Sequence, residues 1–270
     1  MIRKALTIAG SDTCGGAGIQ ADIKSFSANG VYGMSVITAI TVQNTQGVFG
    51  IQDVNPDIIE KQIEAIFDDI EVDAIKIGMV SKIESINAIA SALKKIDKLP
   101  PIILDPVMVS KSGFKLLSED AKETLIKELF PLAEVITPNI PEAEEILGYQ
   151  ITNFEEMYKA AKDLKELGPK YVLVKGGHLE GDAIDSLFDG EKLVSFKQER
   201  INTKNTHGTG CTLSSAIAAN VAKGMSMVEA VEEAKKYITI AIEHSIELGK
   251  GVGPTNHFYE LYKKSGFDVE

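Results

Sequence analysis

The chain has 270 residues, 44% of them hydrophobic, which is enough to bury one large core without a second domain. Its formal net charge of −11 argues against a nucleic-acid-binding surface or an anionic-membrane surface, since both need an excess of lysine and arginine. Only two cysteines occur, Cys14 and Cys211, each beside glycines rather than in a disulfide-like framework, which suits a reducing, cytoplasmic setting.

The apolar run at residues 5–9 is too short for a signal segment and reads as a first buried strand ending in a glycine turn. Further strands are predicted at residues 36–42, 74–77, 102–104, 135–136 and 171–174, all short, apolar and mostly β-branched, as strands buried on both faces should be. Between them lie helices with readable starts. Ser81 with Glu84 and Ser226 with Glu229 have capping-box spacing, and Asn153 with Glu156 is a weaker version. Gly148, Gly168, Gly224 and Gly249 stand where a glycine would end a helix. Strict alternation predicts an α/β fold with a mainly parallel sheet and helices on both faces. Residues 183–188 and 192–196 flank Asp189-Gly190 and read as an antiparallel hairpin at the sheet edge, on a two-residue turn. No internal repeat, linker or membrane-spanning apolar run divides the chain, so residues 1–270 are expected to form one domain.

In such sheets ligands bind at the carboxyl ends of the strands. That rule gathers residues 10–18, Gln20 and Asp22 after the first strand, Gln43-Asn44-Thr45 after the second and Gly78-Met79 after the third. It adds Asp105-Pro106-Val107-Met108, then Asn139 and Glu142, then Lys175-Gly176-Gly177-His178. Plain structural roles exist for several: Asp105-Pro106 as a strand stop, Pro141-Glu142 as a helix start, Cys14 as a small core filler.

The stretch Asn205-Thr206-His207-Gly208-Thr209-Gly210-Cys211-Thr212 is the most informative. Its spaced glycines let backbone N–H groups turn toward one point at a helix N-terminus, where a phosphate is best held, and a thiol sits in that pocket. With the second glycine turn at residues 15–18 and the lysine of Lys175-Gly176-Gly177, it points to phosphoryl transfer. Two motif matches fail on context. Residues 16–21 fit a dinucleotide fingerprint but lie several residues beyond the strand, and the second strand ends in Gln43-Asn44 rather than an acidic ribose ligand. Gly10 and Gly15 have P-loop spacing, but Gly16 follows where the lysine belongs. His207 and Cys211 have ligand-like spacing, yet His178, His244 and His257 complete no metal set with them.

Taken together and in order, these segments resemble the hydroxymethylpyrimidine/phosphomethylpyrimidine kinases of thiamine biosynthesis, within the ribokinase-like superfamily, over essentially the whole chain. The resemblance implies a three-layer sandwich, two successive ATP-dependent phosphorylations with Mg²⁺, and a homodimer. It implies that Gln43 reads the pyrimidine, with Gly10, Ala17, Met79 and Val107 shaping the ring pocket and Asp22 near it. It also implies that Lys175, Asn139 and Thr206 serve the nucleotide, that Glu142 and Asn139 hold Mg²⁺ through water, and that Gly208, Thr209, Gly210 and Cys211 form the catalytic anion hole. Sugar kinases of the superfamily carry aspartate where Cys211 stands. Whether Cys211 is the base or positions the hydroxyl stays open here; a helix N-terminus can lower a thiol pKa, and nearby phosphates oppose that. Alternatives on the same scaffold are a pyridoxal kinase and a non-catalytic ligand sensor, the latter disfavoured by Lys175, Glu142 and Cys211 occurring together.

Overall fold

The computed structural model describes residues 1–109, 113, 116–179 and 181–267. Its first half runs β1 (Lys4–Ser11), α1 (Gly18–Ala28), β2 (Tyr32–Asn44), β3 (Gly47–Asp53), α2 (Pro56–Phe67), β4 (Ala74–Ile77), α3 (Ile83–Lys94) and β5 (Ile102–Leu104). Then come α4 (Glu119–Glu128), β6 (Val135–Ile136), α5 (Ile140–Leu147), α6 (Phe154–Lys165) and β7 (Tyr171–Lys175). The chain closes with β8 (Ala183–Phe188), β9 (Leu193–Gln198), α7 (Thr209–Ala222), α8 (Met227–Glu243) and α9 (Tyr259–Ser265).

Among the described residues these strands form one nine-stranded sheet in the order β3-β2-β1-β4-β5-β6-β7-β8-β9. The interior strands from β2 to β7 pair in parallel, and the edges are antiparallel. The chain leaves β1 toward β2 on one side and later returns to β4 on the other, which creates a switch point beside the carboxyl end of β1. The predicted edge hairpin is β8–β9, but its reversal comes one residue later than expected. Asp189 Oδ1 accepts from the backbone N–H groups of both Glu191 and Lys192, which moves the tip to Gly190-Glu191. At the other edge, β3 was not anticipated: the glycines of Gly47–Asp53 weaken the strand pattern, and Gln43-Asn44, read as a loop, continue β2 as far as the hairpin turn.

Two apolar layers flank the sheet. Ile59 and Ile63 of α2 and Ile86 and Ile89 of α3 pack with Leu6, Ile8 and Ile77 on one face, where α4, α5 and α6 also lie. Phe26 of α1, residues 216–219 of α7 and Val231 of α8 pack with Ala5, Ile103 and Leu173 on the other. Helix α7 is buried on nearly every side, the pattern of a core helix, so its N-terminal turn is held firmly against the sheet.

The capping box at Ser226–Glu229 forms, and Asn153 caps α6 by accepting from the Glu156 N–H. The one read at Ser81 does not form. Helix α3 begins from Lys82 without a side-chain cap, because the Ser81 hydroxyl donates instead to Asp53 at the end of the unanticipated β3. Gly148, Gly168 and Gly224 do follow helices with left-handed backbone, whereas Gly249 lies beyond the end of α8 at His244, in a loop against Thr45. No described helix is long and apolar enough to cross a membrane.

Candidate active site

Strand ends and one helix N-terminus converge on a rim. Lys175, the last residue of β7, places Nζ 2.8 Å from Asp105 Oδ1 just beyond β5, and Thr137 beyond β6 donates to the same oxygen at 3.0 Å. Asn139 and Glu142 form the reciprocal capping box of α5: Asn139 Oδ1 accepts from the Glu142 N–H, and Glu142 Oε2 accepts from the Asn139 N–H, both at 2.9 Å. The structural role of Pro141-Glu142 as a helix start is therefore real, and it fixes a buried carboxylate beside Lys175. Burial, aided by the charge of Asp105 and opposed by Lys175, pushes Glu142 up to about 7. Burial works the same way on Asp105, but Lys175 and then Lys76 hold it below the usual carboxylate range; Lys175 is raised against its own burial by Asp105 and Glu142. Two carboxylates thus gather beside Lys175, with Lys76 acting on Asp105 from further off, and an oxygen-donor cluster of this kind suits a hydrated hard cation such as Mg²⁺. A Cβ on Gly210 would lie 3.3 Å from Lys175 Nζ and 3.4 Å from Asp105 Oδ2, so the glycine lets the α7 turn abut this cluster.

The turn itself is built on Gly208, with φ +76° at the α7 N-cap. Its carbonyl accepts from Thr212 N–H and Oγ1, both at 2.8 Å, while Thr209 Oγ1 donates to the Thr206 carbonyl at 2.9 Å. A side chain at Gly208 would overlap the Gly16 carbonyl, so the two glycine turns read in the sequence meet backbone to backbone. Cys211 follows within this junction. Burial pushes its thiol up to about 11; the charge of Lys76 pulls down, the charges of Asp22 and Asp105 push up, and the Gly18 N–H pulls down. Burial thus outweighs the charge of Lys76 and leaves the thiol less acidic than a free cysteine.

A second group gathers at the β1 end. Asp12 Oδ2 accepts from the Gly16 and Ala17 N–H groups at 2.9 and 2.8 Å and lies 2.8 Å from His207 Nε2. Gln43 Nε2 is 3.4 Å from the same histidine nitrogen, and a Cβ on Gly10 would stand 3.2 Å from Met79 Sδ. Val107, half-buried, continues from Asp105. Asp22 departs from expectation. Its carboxylate is sealed from the rim, accepting from Lys76 Nζ at 2.9 Å on both oxygens, from Thr7 Oγ1 at 2.6 Å and from Ser215 Oγ at 2.6 Å. An aspartate so fully satisfied inside the fold has nothing left to offer a ring. Cys14 is not a core filler either, being half-buried with Sγ donating to Asp12 Oδ1 at 3.2 Å.

Comparison with known proteins settles the family. The phosphomethylpyrimidine kinase family model matches residues 12–256. The chain belongs to that family. It is 53% identical over 263 residues to the hydroxymethylpyrimidine/phosphomethylpyrimidine kinase of Rhizobium meliloti, covering 96% of this chain and 98% of that one. It resembles the crystal structure of Clostridium difficile phosphomethylpyrimidine kinase with a TM-score of 0.80 and 55% identity, over 90% of this chain and all of the other. An ADP complex of Bacillus subtilis pyridoxal kinase superposes with a TM-score of 0.89 at 41% identity, over 96% and 98% of the two chains. The ribokinase-like sandwich anticipated from the sequence is thereby the fold of its kinase relatives.

Lys76 was passed over in the sequence, although its signal was there: a single charge within the buried strand Ala-Ile-Lys-Ile demands a buried partner. Asp105 was half-read, its ion pair with Lys175 lying 70 residues away. The approach of Cys14 to His207 spans 193 residues and left no local trace.

Proposed function

We propose that this chain uses Mg²⁺-ATP to phosphorylate 4-amino-5-hydroxymethyl-2-methylpyrimidine to its monophosphate and then to the diphosphate, as a single-domain cytoplasmic enzyme of thiamine biosynthesis. The observation that carries the reading is the abutment of the Gly208–Cys211 turn on the Lys175–Asp105–Glu142 cluster. It offers backbone donors and one ammonium to a transferring phosphoryl group, beside a pair of carboxylates of the type that serve a hydrated cation. Bound Mg²⁺, held through water by Glu142 and Asn139, would neutralise charge on the phosphate oxygens. Lys175 and Thr206 serve the nucleotide. Gln43 reads the pyrimidine edge, with Gly10, Ala17, Met79 and Val107 around the ring.

In each step the acceptor oxygen forms a bond to the γ-phosphorus as the bond to ADP breaks. The alcohol loses its proton in the first step, to an oxygen of the transferred phosphoryl group or to solvent. The monophosphate, with a second pKa of about 6, is already largely ionised and attacks through a phosphate oxygen. Burial and the charges of Asp22 and Asp105 make the Cys211 thiol less acidic than a free cysteine, and in this reading Cys211 shapes the hole and orients the acceptor.

The homodimer belongs to the same reading and is supported by exposed Ile40, Val42 and Phe49 on the β2–β3 hairpin, an apolar surface of the kind that marks interfaces. Measured ADP release with the hydroxymethylpyrimidine, its monophosphate, pyridoxal and ribose tests the assignment. Conversion of both pyrimidines, with a diphosphate product, is expected; a higher kcat/KM for pyridoxal would replace the reading by the vitamin B6 alternative.

A further inference from the structure

We infer that Asp12, Cys14 and His207 form a binding site for a thiophilic divalent ion of the zinc type, separate from the Mg²⁺ site. Three different donor atoms already converge there. His207 Nε2 lies 2.8 Å from Asp12 Oδ2, Cys14 Sγ lies 3.5 Å from that oxygen, and Sγ and Nε2 are 3.7 Å apart. Sulfur, nitrogen and oxygen ligands at ordinary zinc bond lengths sit about 3.3–3.6 Å from one another around a tetrahedral ion. Two of the three separations are therefore within about 0.2 Å of that range, and only the oxygen–nitrogen pair must open, by about half an ångström. That pair is short because a proton bridges it, and the ion would take the proton's place.

The ligand set is held in position by the fold. Asp12 is anchored by the N–H groups of Gly16, Ala17 and, through Oδ1, Cys14. His207 is fixed on the other side by its backbone N–H to the Gly253 carbonyl. Residue type separates this site from the one beside Lys175: imidazole and thiolate favour zinc-like ions, while Mg²⁺ prefers all-oxygen, largely hydrated coordination. Binding releases the Cys14 proton. The S–H bond breaks, its electron pair forms the bond to the metal and its proton goes to solvent; His207 binds through the Nε2 lone pair, with a ring proton on Nδ1.

Three protein ligands leave a fourth position for water or another ligand. Gln43 shares His207 as a neighbour, so an ion here would also compete with the pyrimidine. That second consequence rests on the proposed role of Gln43; the metal site itself does not.

The test uses the untagged full chain with Co²⁺ alone, then Zn²⁺, in the presence of excess Mg²⁺. The expected result is a thiolate-to-cobalt charge-transfer band that saturates at one equivalent and is bleached by Zn²⁺. Cys14→Ser should abolish the band while turnover without added metal stays at the parent level, because a serine hydroxyl keeps the hydrogen bond to Asp12. Cys211→Ser should leave the band in place. Loss of a direct ligand should cost no less than the tenfold to hundredfold typical of supporting residues, so His207→Asn is expected to weaken binding at least about tenfold. Absence of the band, its survival in Cys14→Ser, or its loss in Cys211→Ser overturns the site. Zn²⁺ should also inhibit competitively against the pyrimidine in the parent and not in Cys14→Ser. Metal binding without competition would uphold the site and overturn the placement of the pyrimidine at Gln43.

Discussion

Lys76 and Lys175 stand in the same sheet, each ion-paired with an aspartate, yet their surroundings differ in a way that separates support from chemistry. The side chains of Lys76 and Asp22 are 0% exposed, whereas Lys175 keeps 13% exposure and Asp105 3%. Asp22 also collects hydroxyl hydrogen bonds from Thr7 and Ser215, so the first pair is complete within the protein. Lys175 has an extra carboxylate, Glu142, beside the Asp105 whose charge it shares with the more distant Lys76. A buried ion pair is tolerated when every partner is satisfied, and one that is left unbalanced at a rim is where a ligand completes the set.

The sharpest way to break this comparison is to remove each ammonium. Lys76→Met leaves the Asp22 carboxylate buried without its counter-ion and should lose about 3–5 kcal/mol of stability in urea denaturation. Lys175→Met strands Asp105 but leaves Glu142 beside it, whose raised pKa lets the carboxylate pair hold a proton, so it should lose less stability than Lys76→Met while losing on the order of 10²- to 10³-fold in kcat. A stable, inactive Lys76→Met beside an unfolded Lys175→Met would invert the assignment.

Gln43→Ala asks whether the open side extends to the β2 end. Leaving the pyrimidine edge unpaired should raise its KM by a factor equivalent to about 1–3 kcal/mol, with the KM for ATP unchanged. Equal loss of both would make Gln43 structural. Cys211→Ser probes the junction of the two regions, since the thiol feels Lys76 as well as Asp105. As a positioning group it should reduce single-turnover rates of both phosphorylations alike, by about tenfold, worth about 1.4 kcal/mol. A loss confined to the alcohol, with a basic limb in that step's pH profile alone, would identify it as the base.

The smallest effect sharpens the comparison by pH. Because the folded-state pKa of Glu142 is raised to about 7 from 4.5, its contribution is fully present below pH 4.5 and fades as the pH climbs through 7. Glu142→Gln keeps the capping acceptor and should flatten that part of the stability curve between about pH 4.5 and pH 7, while shifting the Mg²⁺ concentration for half-maximal rate several-fold. An unchanged slope and Mg²⁺ dependence would remove Glu142 from the open cluster.

Much of this arrangement was legible in the sequence because it is encoded locally. Buried parallel strands announce themselves as short β-branched runs, and β4 to β6 lie where those runs place them. The Gly208–Cys211 turn was legible because glycine spacing before an apolar helix has few other uses. Strand β3 was not, since its two glycines and its partly exposed edge position erase the pattern on which reading depends. The roles of Asp22 and Cys14 were misread for a different reason. Which way Asp22 in helix α1 and Cys14 in the preceding loop face is decided by Ser215 and His207, each 193 residues away, and no short window contains them.

The contact between the two glycine turns also sets an order of assembly. Asp12 and His207 are 195 residues apart, and Gly16 meets Gly208 across a similar length of chain. Closing such separations is slow, because the entropy of a long loop is lost before any contact compensates for it. Helix α7 brings Ser215 to Asp22 and covers the Phe26 face of the sheet, so the β1–β4 half emerges from synthesis with an apolar side and a charged pair awaiting a lid made some two hundred residues later. During that interval the nascent chain has neither the Gly208–Cys211 turn nor the Asp12–His207 pair, and its uncovered face is the one that chaperones or aggregation would meet first.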